Sequence, residues 1–203
     1  MITLDSSISK FNSSGVYHSI INSNLNGAWG IAFDSSDNLY VANAGNSTIS
    51  KYDSSGVYQI AGSISSHLTH PMGLAFDQSG NLYNTNRVNN TSLEHFSKFD
   101  SSGTWLEDIN SYWNTPSRHA VAFDSSGNLY GLDMWACAIS KYDSSGNFIT
   151  SWNTTTWNTS WVVPLDFAFR PNIITIPEPS TYALATIASG VLAYLARQKR
   201  QST

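Results

Sequence analysis

Residues 120–152 read AVAFDSSGNLYGLDMWACAISKYDSSGNFITSW, and most of the remaining chain is a variation on this stretch. Four short apolar runs, Val121 to Phe123, Leu129 to Leu132, Ala138 to Tyr142 and Phe148 to Trp152, are separated by turn-forming clusters. That pattern predicts one small antiparallel sheet. Asp124-Ser-Ser-Gly127 and Asp143-Ser-Ser-Gly146 close its first and third connections. In such a turn the Asp side chain can accept from the turn's own amides, and Gly takes the positive φ that L-residues resist.

The unit recurs upstream. Gly30 to Gly62 reads GIAFDSSDNLYVANAGNSTISKYDSSGVYQIAG, and Gly73 to Ile109 opens with GLAFDQSGNLYNTN and closes with FSKFDSSGTWLEDI. Phe33, Phe76 and Phe123 are thus equivalent, as are Asp34, Asp77 and Asp124, Tyr40, Tyr83 and Tyr130, and Lys51, Lys98 and Lys141. The spacing of 43 residues from Asp34 to Asp77 and 47 from Asp77 to Asp124 fits one four-stranded propeller blade. Helical periodicity is absent over these lengths, which excludes the helical solenoids.

At the N-terminus SISKFNSSGVYHSI matches STISKYDSSGVYQI (residues 47–60) and supplies only the third and fourth strands of a blade. The missing first two strands, and a start without the basic and apolar regions of a signal peptide, predict a chain that begins partway through a longer product or one whose start was assigned late. After the last complete unit, Pro164-Leu-Asp-Phe-Ala-Phe169 copies Pro71-Met-Gly-Leu-Ala-Phe76, and the repeat stops at Arg170-Pro171. The expected fold is therefore all-β: a small or truncated β-propeller of three complete four-stranded blades. A partial fourth would combine the N-terminal half-blade with residues 164–169.

Composition narrows the function classes. The chain has 203 residues, 41% apolar and only 12% charged, so its polarity rests on Ser, Asn and Thr, as suits turns between strands. The net charge of −4 comes with no basic stripe to grip phosphates, and nucleic acid is not expected as a partner. Cys137, the one cysteine, is expected as an inert buried thiol within a strand.

The run PMGLAFDQSGNLY (residues 71–83) and the run ISKYDSSG (residues 49–56) resemble the NHL repeat of β-propellers, and the likeness extends from Asp5 to about Arg170. Where that family often has Asn-His-Arg-Ile before the third strand, this chain has Asn46-Ser47-Thr48-Ile49. Further on, Pro177-Glu178-Pro179 precedes an apolar run from Tyr182 to Ala196 and a basic end with Arg197, Lys199 and Arg200. This order resembles the PEP-CTERM sorting signal of exopolysaccharide-producing Gram-negative bacteria. The resemblance implies recognition by an exosortase and cleavage near the motif.

The physics of the tail agrees. Fifteen helical residues rise roughly 22 Å, short of the ~30 Å hydrocarbon core, a span suited to a temporary anchor in membrane lipid. Positive charge after the run places the C-terminus in the cytoplasm and the propeller on the exported side. The expected organisation is a propeller over residues 1–170, a linker over 171–181, a hydrophobic membrane segment over 182–196 and a basic cytoplasmic tail over 197–203. The expected location is the inner membrane at first, then the cell surface.

Alternating strands put all the DSSG-type turns on one face. Residues that differ between repeats, Trp29, Asn43, Met72, Arg87, His119, Asp133 and Trp135, fall on or near the other, the expected binding face for a protein or polysaccharide ligand. Trp152, Trp157 and Trp161 either stack on sugars or pack between blades. The turns are read as hairpin turns, not calcium loops, for they lack the carboxylate ladder of such loops. No metal, cofactor or catalytic residue is assigned, and a non-catalytic binding or scaffold protein is the favoured reading. The first rival is a propeller lyase or hydrolase with His70, Glu94, His119 and Asp133 around a metal at the channel mouth. The second is a structural envelope or matrix component.

Overall fold

The computed structural model describes residues 6–11, 14–86, 95–110, 118–133 and 137–153, with the side chains of residues 110, 118 and 119 excepted. The expected strand from 164 and the whole tail lie outside these residues. A two-stranded sheet comes first, β1 (Ile8–Phe11) and β2 (Tyr17–Ile21). Blade 1 then runs β3 (Ala28–Phe33), β4 (Leu39–Asn43), β5 (Thr48–Tyr52) and β6 (Tyr58–Ile64). Blade 2 is β7 (Pro71–Phe76), β8 (Leu82–Asn86), β9 (His95–Phe99) and β10 (Trp105–Asn110). Blade 3 is β11 (Arg118–Phe123), β12 (Leu129–Asp133), β13 (Ala138–Tyr142) and β14 (Phe148–Asn153). Each blade is a four-stranded antiparallel meander in sequence order. The strands match the repeat reading, with β11, β12 and β14 running one to three residues beyond the predicted apolar cores.

The second strand of every blade, LYVAN, LYNTN or LYGLD, is buried at each of its five positions. A strand paired on both edges and covered on both faces has no solvent side, so strict polar alternation disappears. Blades meet through these strands. Tyr40, Ala42, Ile49 and Ile64 of blade 1 pack against Leu74, Leu82 and Phe99 of blade 2. Tyr83 and Phe96 of blade 2 pack against Val121, Leu129 and Tyr142 of blade 3. Fully buried side chains of this size each contribute about 1.5–3 kcal/mol.

The repeated aromatics fix the angle between blades. Tyr40 meets Phe76 edge to face with centroids 5.0 Å apart, and Tyr83 meets Phe123 in the same way at 4.8 Å. At the centre β7 lies between β3 and β11. Gly30 lets β3 and β7 approach: a Cβ there would stand 2.0 Å from the Met72 carbonyl oxygen. The N-terminal half-blade packs Ile8 and Ile21 onto Leu39, Val41 and Tyr52 of blade 1, and Lys10 Nζ donates to the Ser54 carbonyl at 3.2 Å.

Cys137 corrects the sequence reading. It sits in a turn ahead of β13, half-buried, with φ of 48°, because the chain must reverse sharply to enter the strand at Ala138. Among the described residues no helix is long and apolar enough to cross a membrane.

Candidate functional site

The six Asp turns form one face and are built alike. Asp124 Oδ1 accepts from the Ser126 and Asn128 amides at 2.9 Å each, and its Oδ2 accepts from Asn128 Nδ2 at 2.8 Å and the Tyr130 hydroxyl at 3.0 Å. Asp34, Asp53, Asp77, Asp100 and Asp143 accept from the amides two and four residues on at 2.8 to 3.0 Å. Gly56, Gly80, Gly103, Gly127 and Gly146 close five of the turns with φ of 79° to 85°, and Asp37 takes φ of 60° in the sixth. Each carboxylate is engaged by its own turn.

The local electrostatics follow from these bonds. Burial pushes the Asp34 and Asp124 carboxyls up, yet the donors from Asn38 and Asn128 outweigh it and hold both below the usual carboxylate value. Asp100 is lowered chiefly by the Ser102 hydroxyl, and Asp143 by the Asn147 side chain. Behind the inner turns, Lys51, Lys98 and Lys141 place their ammonium groups 5.2, 5.4 and 5.4 Å from the ring centres of Tyr40, Tyr83 and Tyr130. Three identical arrangements in three blades make this face scaffold.

The opposite face is less uniform. Asn43, fully buried at the end of β4, accepts from the Asn26 amide at 3.0 Å and donates to Ser50 Oγ at 2.9 Å, while Ser50 donates to the Asn24 carbonyl at 2.7 Å. Asn86 repeats this in blade 2, accepting from the Thr69 amide at 3.0 Å and donating to Ser97 Oγ at 2.7 Å. Asn43 and Asn86 therefore pin the loop that enters their blade. This latch escaped the sequence reading, although Ser50, Ser97 and Ser140 recur at one position and signal it.

Blade 2 adds a cluster of its own. Ser97 Oγ donates to Asp108 Oδ1 at 2.8 Å, Trp105 Nε1 donates to the same oxygen at 3.2 Å, and His95 Nε2 stands 3.6 Å from it. The His67 ring stacks on Trp105 at 4.5 Å. Ser97 is fully buried, and its hydroxyl has two acceptors, Asp108 Oδ1 at 2.8 Å and the His67 carbonyl at 3.2 Å, so the cluster ties β9 to β10 and to the loop that enters blade 2.

The sequence-derived binding residues separate in the structure. Trp29 is 58% exposed on β3. Met72, at the same repeat position, and Asp133, at the position of Asn43 and Asn86, are 2% and 1% exposed. Neither presents a side chain to solvent. Arg87, Glu94 and Trp135 lie outside the described residues, as do Trp157 and Trp161, the sorting motif Pro177, Glu178, Pro179 and the basic Arg197, Lys199, Arg200. So does the side chain of His119. Of the proposed metal ligands, His70 lies on a loop with φ of 45°. Among the described residues no three His, Cys, Asp or Glu side chains are placed to hold a metal ion. Trp152 lies parallel to Tyr130 with centroids 6.2 Å apart, packed on blade 3.

A pocket of about 330 Å³ opens at the loop end of blade 1, beside the Asn43 latch. Its wall is made by Asn24, Asn26, Asn46, Thr48, Ser63 and Tyr58, with Ile60, 83% exposed, at its lip. The lining offers amides and hydroxyls and no ionised side chain.

These features describe an NHL-repeat, propeller-like fold, and comparison with known proteins agrees. The NHL repeat family matches residues 25–52, which span β3 to β5. The fold is similar to virginiamycin B lyase from Staphylococcus aureus, with a TM-score of 0.63 and 11% identity, over 83% of this chain and 55% of that one. A streptogramin B lyase gives 0.63 and 13%, over 80% and 52%. A protein of unknown function from Bacteroides caccae gives 0.57 and 13%, over 74% and 55%. At these identities the likeness is one of fold, and the chain spans about half the length of the structures it matches. Among curated proteins none matches the sequence.

Proposed function

We propose that this chain is an exported, surface-sorted, non-catalytic binding or scaffold protein whose propeller presents its loop face to a neutral, hydroxyl-rich ligand such as a polysaccharide. The observation that carries this reading is the pocket beside the Asn43 latch. Its Asn, Ser and Thr groups supply paired donors and acceptors, Tyr58 and Ile60 supply apolar surface, and its lining holds no ionised side chain. Sugar rings ask for that combination. An array of neutral oligosaccharides tests it: binding that weakens at least tenfold in Asn46→Ala supports the reading, and silence across the array removes it.

The sorting half of the proposal rests on the tail. Pro177-Glu178-Pro179, the apolar run 182–196 and the basic end would be read by an exosortase and held in membrane lipid, with the propeller on the exported side. A reporter carrying residues 171–203 should fractionate with the membrane of a host that possesses an exosortase. A soluble cytosolic reporter would refute this half alone.

The likeness to virginiamycin B lyase favours one rival, a propeller lyase. Conversion of virginiamycin B or quinupristin by the purified chain, followed by mass spectrometry, would replace the binding reading. A metal-dependent version would lose that turnover in His119→Ala.

A further inference from the structure

The turn face is scaffold where the blades agree, and at one crevice they disagree. Between blades 1 and 2 a cavity of about 240 Å³ opens among Asp34, Ser35, Ser36, Lys51 and Ser101, with Tyr40 and Phe76 beside them. In blade 2 the corresponding positions make two contacts that blade 1 lacks. The first is a strap between blades. Gln78, the residue after Asp77, reaches over to blade 3, where its Nε2 donates to the Ser125 carbonyl at 2.8 Å. Ser35 holds that place after Asp34 and is too short to bridge to the next turn in the same way.

The second contact is to the repeated lysine. Lys98 Nζ donates to Glu107 Oε1 at 3.1 Å, and Glu107 stands directly opposite Lys98 in the β9–β10 register. Opposed residues of an antiparallel pair share a face, so such a carboxylate meets the ammonium without strain. In blade 1 the residue opposite Lys51 is Gln59, a neutral amide that donates to Asp53 Oδ2 at 2.9 Å. Among the described residues Lys51 makes no ion pair, and its ammonium rests 5.2 Å from the Tyr40 ring centre. Asp34 does not fill the role. Its Oδ1 accepts from the Ser36 and Asn38 amides and its Oδ2 from Asn38 Nδ2, so its own turn holds the carboxylate.

Blade 2 therefore shows what blade 1 is short of, a carboxylate on Lys51 and a group across the crevice. Asp34 opposes the charge of any anion that enters, so a bare ion gains little there. An acid that also carries hydroxyls gains more, because Ser35, Ser36 and Ser101 can exchange hydrogen bonds with them. Half-buried Phe76 adds apolar surface for the face of a sugar ring. At about 240 Å³ the cavity lies below the roughly 300–1,000 Å³ of pockets for drug-sized ligands, which suits one ring at a time. We propose that this crevice binds an acidic sugar, Lys51 receiving the uronate carboxylate as Lys98 receives Glu107, and the three serines meeting the ring hydroxyls. The site lies on the face opposite the Asn43 latch and is separate from the pocket there.

Calorimetric titration of the full chain in mild detergent with trigalacturonate is the test, with galactotriose and a tri-aspartate peptide as controls. Trigalacturonate should bind, and neither control should. Lys51→Gln should weaken binding about tenfold, the effect of one charge-assisted hydrogen bond. Lys98→Gln, whose lysine already has Glu107, should leave it unchanged. Ser35→Gln keeps Lys51 and copies the residue that straps the next pair of blades, so it should weaken binding with the circular dichroism unchanged. Asn46→Ala, the variant of the loop-face pocket, should leave uronate binding intact, so that either site can fail without the other. Binding that survives Lys51→Gln or Ser35→Gln overturns the proposal. So does a loss in Lys98→Gln or Asn46→Ala as large as in Lys51→Gln. Equal binding of galactotriose or of the peptide, or no binding of trigalacturonate, overturns it as well.

Discussion

Replacing Gly30 with alanine adds one methyl group where the two innermost strands of blades 1 and 2 meet. The ideal Cβ lies 2.0 Å from the Met72 carbonyl oxygen, 3.1 Å from its carbonyl carbon and 3.2 Å from the Gly73 Cα. All three atoms are backbone, and a carbon–oxygen contact needs well over 3 Å, so β3 and β7 must part by roughly 1 Å. Overpacking of this kind costs about 1–3 kcal/mol, and rigid backbone on both sides places Gly30→Ala near the top of that range. Against it stands about 0.4–1 kcal/mol gained by restricting the unfolded chain.

The net expectation is a loss of about 2 kcal/mol. It would be read as a lower midpoint in urea unfolding followed by tryptophan fluorescence, with the slope unchanged. Blade 3 supplies the internal contrast, since Ala120 occupies the equivalent position there and is accommodated at 2% exposure. Ala120→Gly should cost only about 1 kcal/mol, from chain entropy and a small lost contact. A Gly30→Ala protein as stable as the parent, or more so, would refute the close-approach argument.

Asp124→Ala removes four hydrogen bonds, one of them from buried Tyr130, and should destabilise by about 2–3 kcal/mol. Asp143→Ala, in an open turn, should cost clearly less in the same titration, and equal losses would contradict the role given to Tyr130. Asp34, Asp100, Asp124 and Asp143 have folded pKa values below their unfolded ones, so their stabilisation is complete above the unfolded value of about 3.9 and disappears as pH falls through the lower folded values. Urea midpoints between pH 2 and 6 should show that acid-side loss and a shallower one in Asp124→Asn. Asn43→Ala strips the buried latch of blade 1 and should cost about 1–3 kcal/mol, with hydrogen exchange accelerated at the Asn26 amide; unchanged exchange there would sink the latch.

The fold was legible because the repeat states it three times. A turn such as Asp143-Ser-Ser-Gly146 encodes its own geometry through bonds of two to four residues' range, and Phe123, Tyr130 and Lys141 recur wherever that geometry must carry a blade. The half-blade was legible for the same reason, since SISKFNSSGVYHSI keeps the register of strands three and four. Cys137 was misread because the strand pattern fixes Ala138 onward and says nothing about the positive φ one residue earlier. The Asn43 and Asn86 latches were hidden because their partners, the amides of Asn26 and Thr69, lie 17 residues away in connecting loops.

The site residues were less legible because a difference between repeats has two physical causes that a sequence does not separate. Asp133 stands in blade 3 where blades 1 and 2 have Asn43 and Asn86, yet all three occupy one buried position, where the demand is for a polar group at the end of the second strand. Trp29 and Met72 are 58% and 2% exposed although they hold equivalent strand positions: among the described residues Met72 follows the complete blade 1, whereas Trp29 follows the two-stranded β1–β2 sheet. Variation at that position therefore measures what neighbours the strand and not what ligand it meets. Ligand contact has to be sought where variation coincides with exposed polar groups around a concavity, and in the described residues Asn24, Asn26 and Asn46 satisfy that condition together.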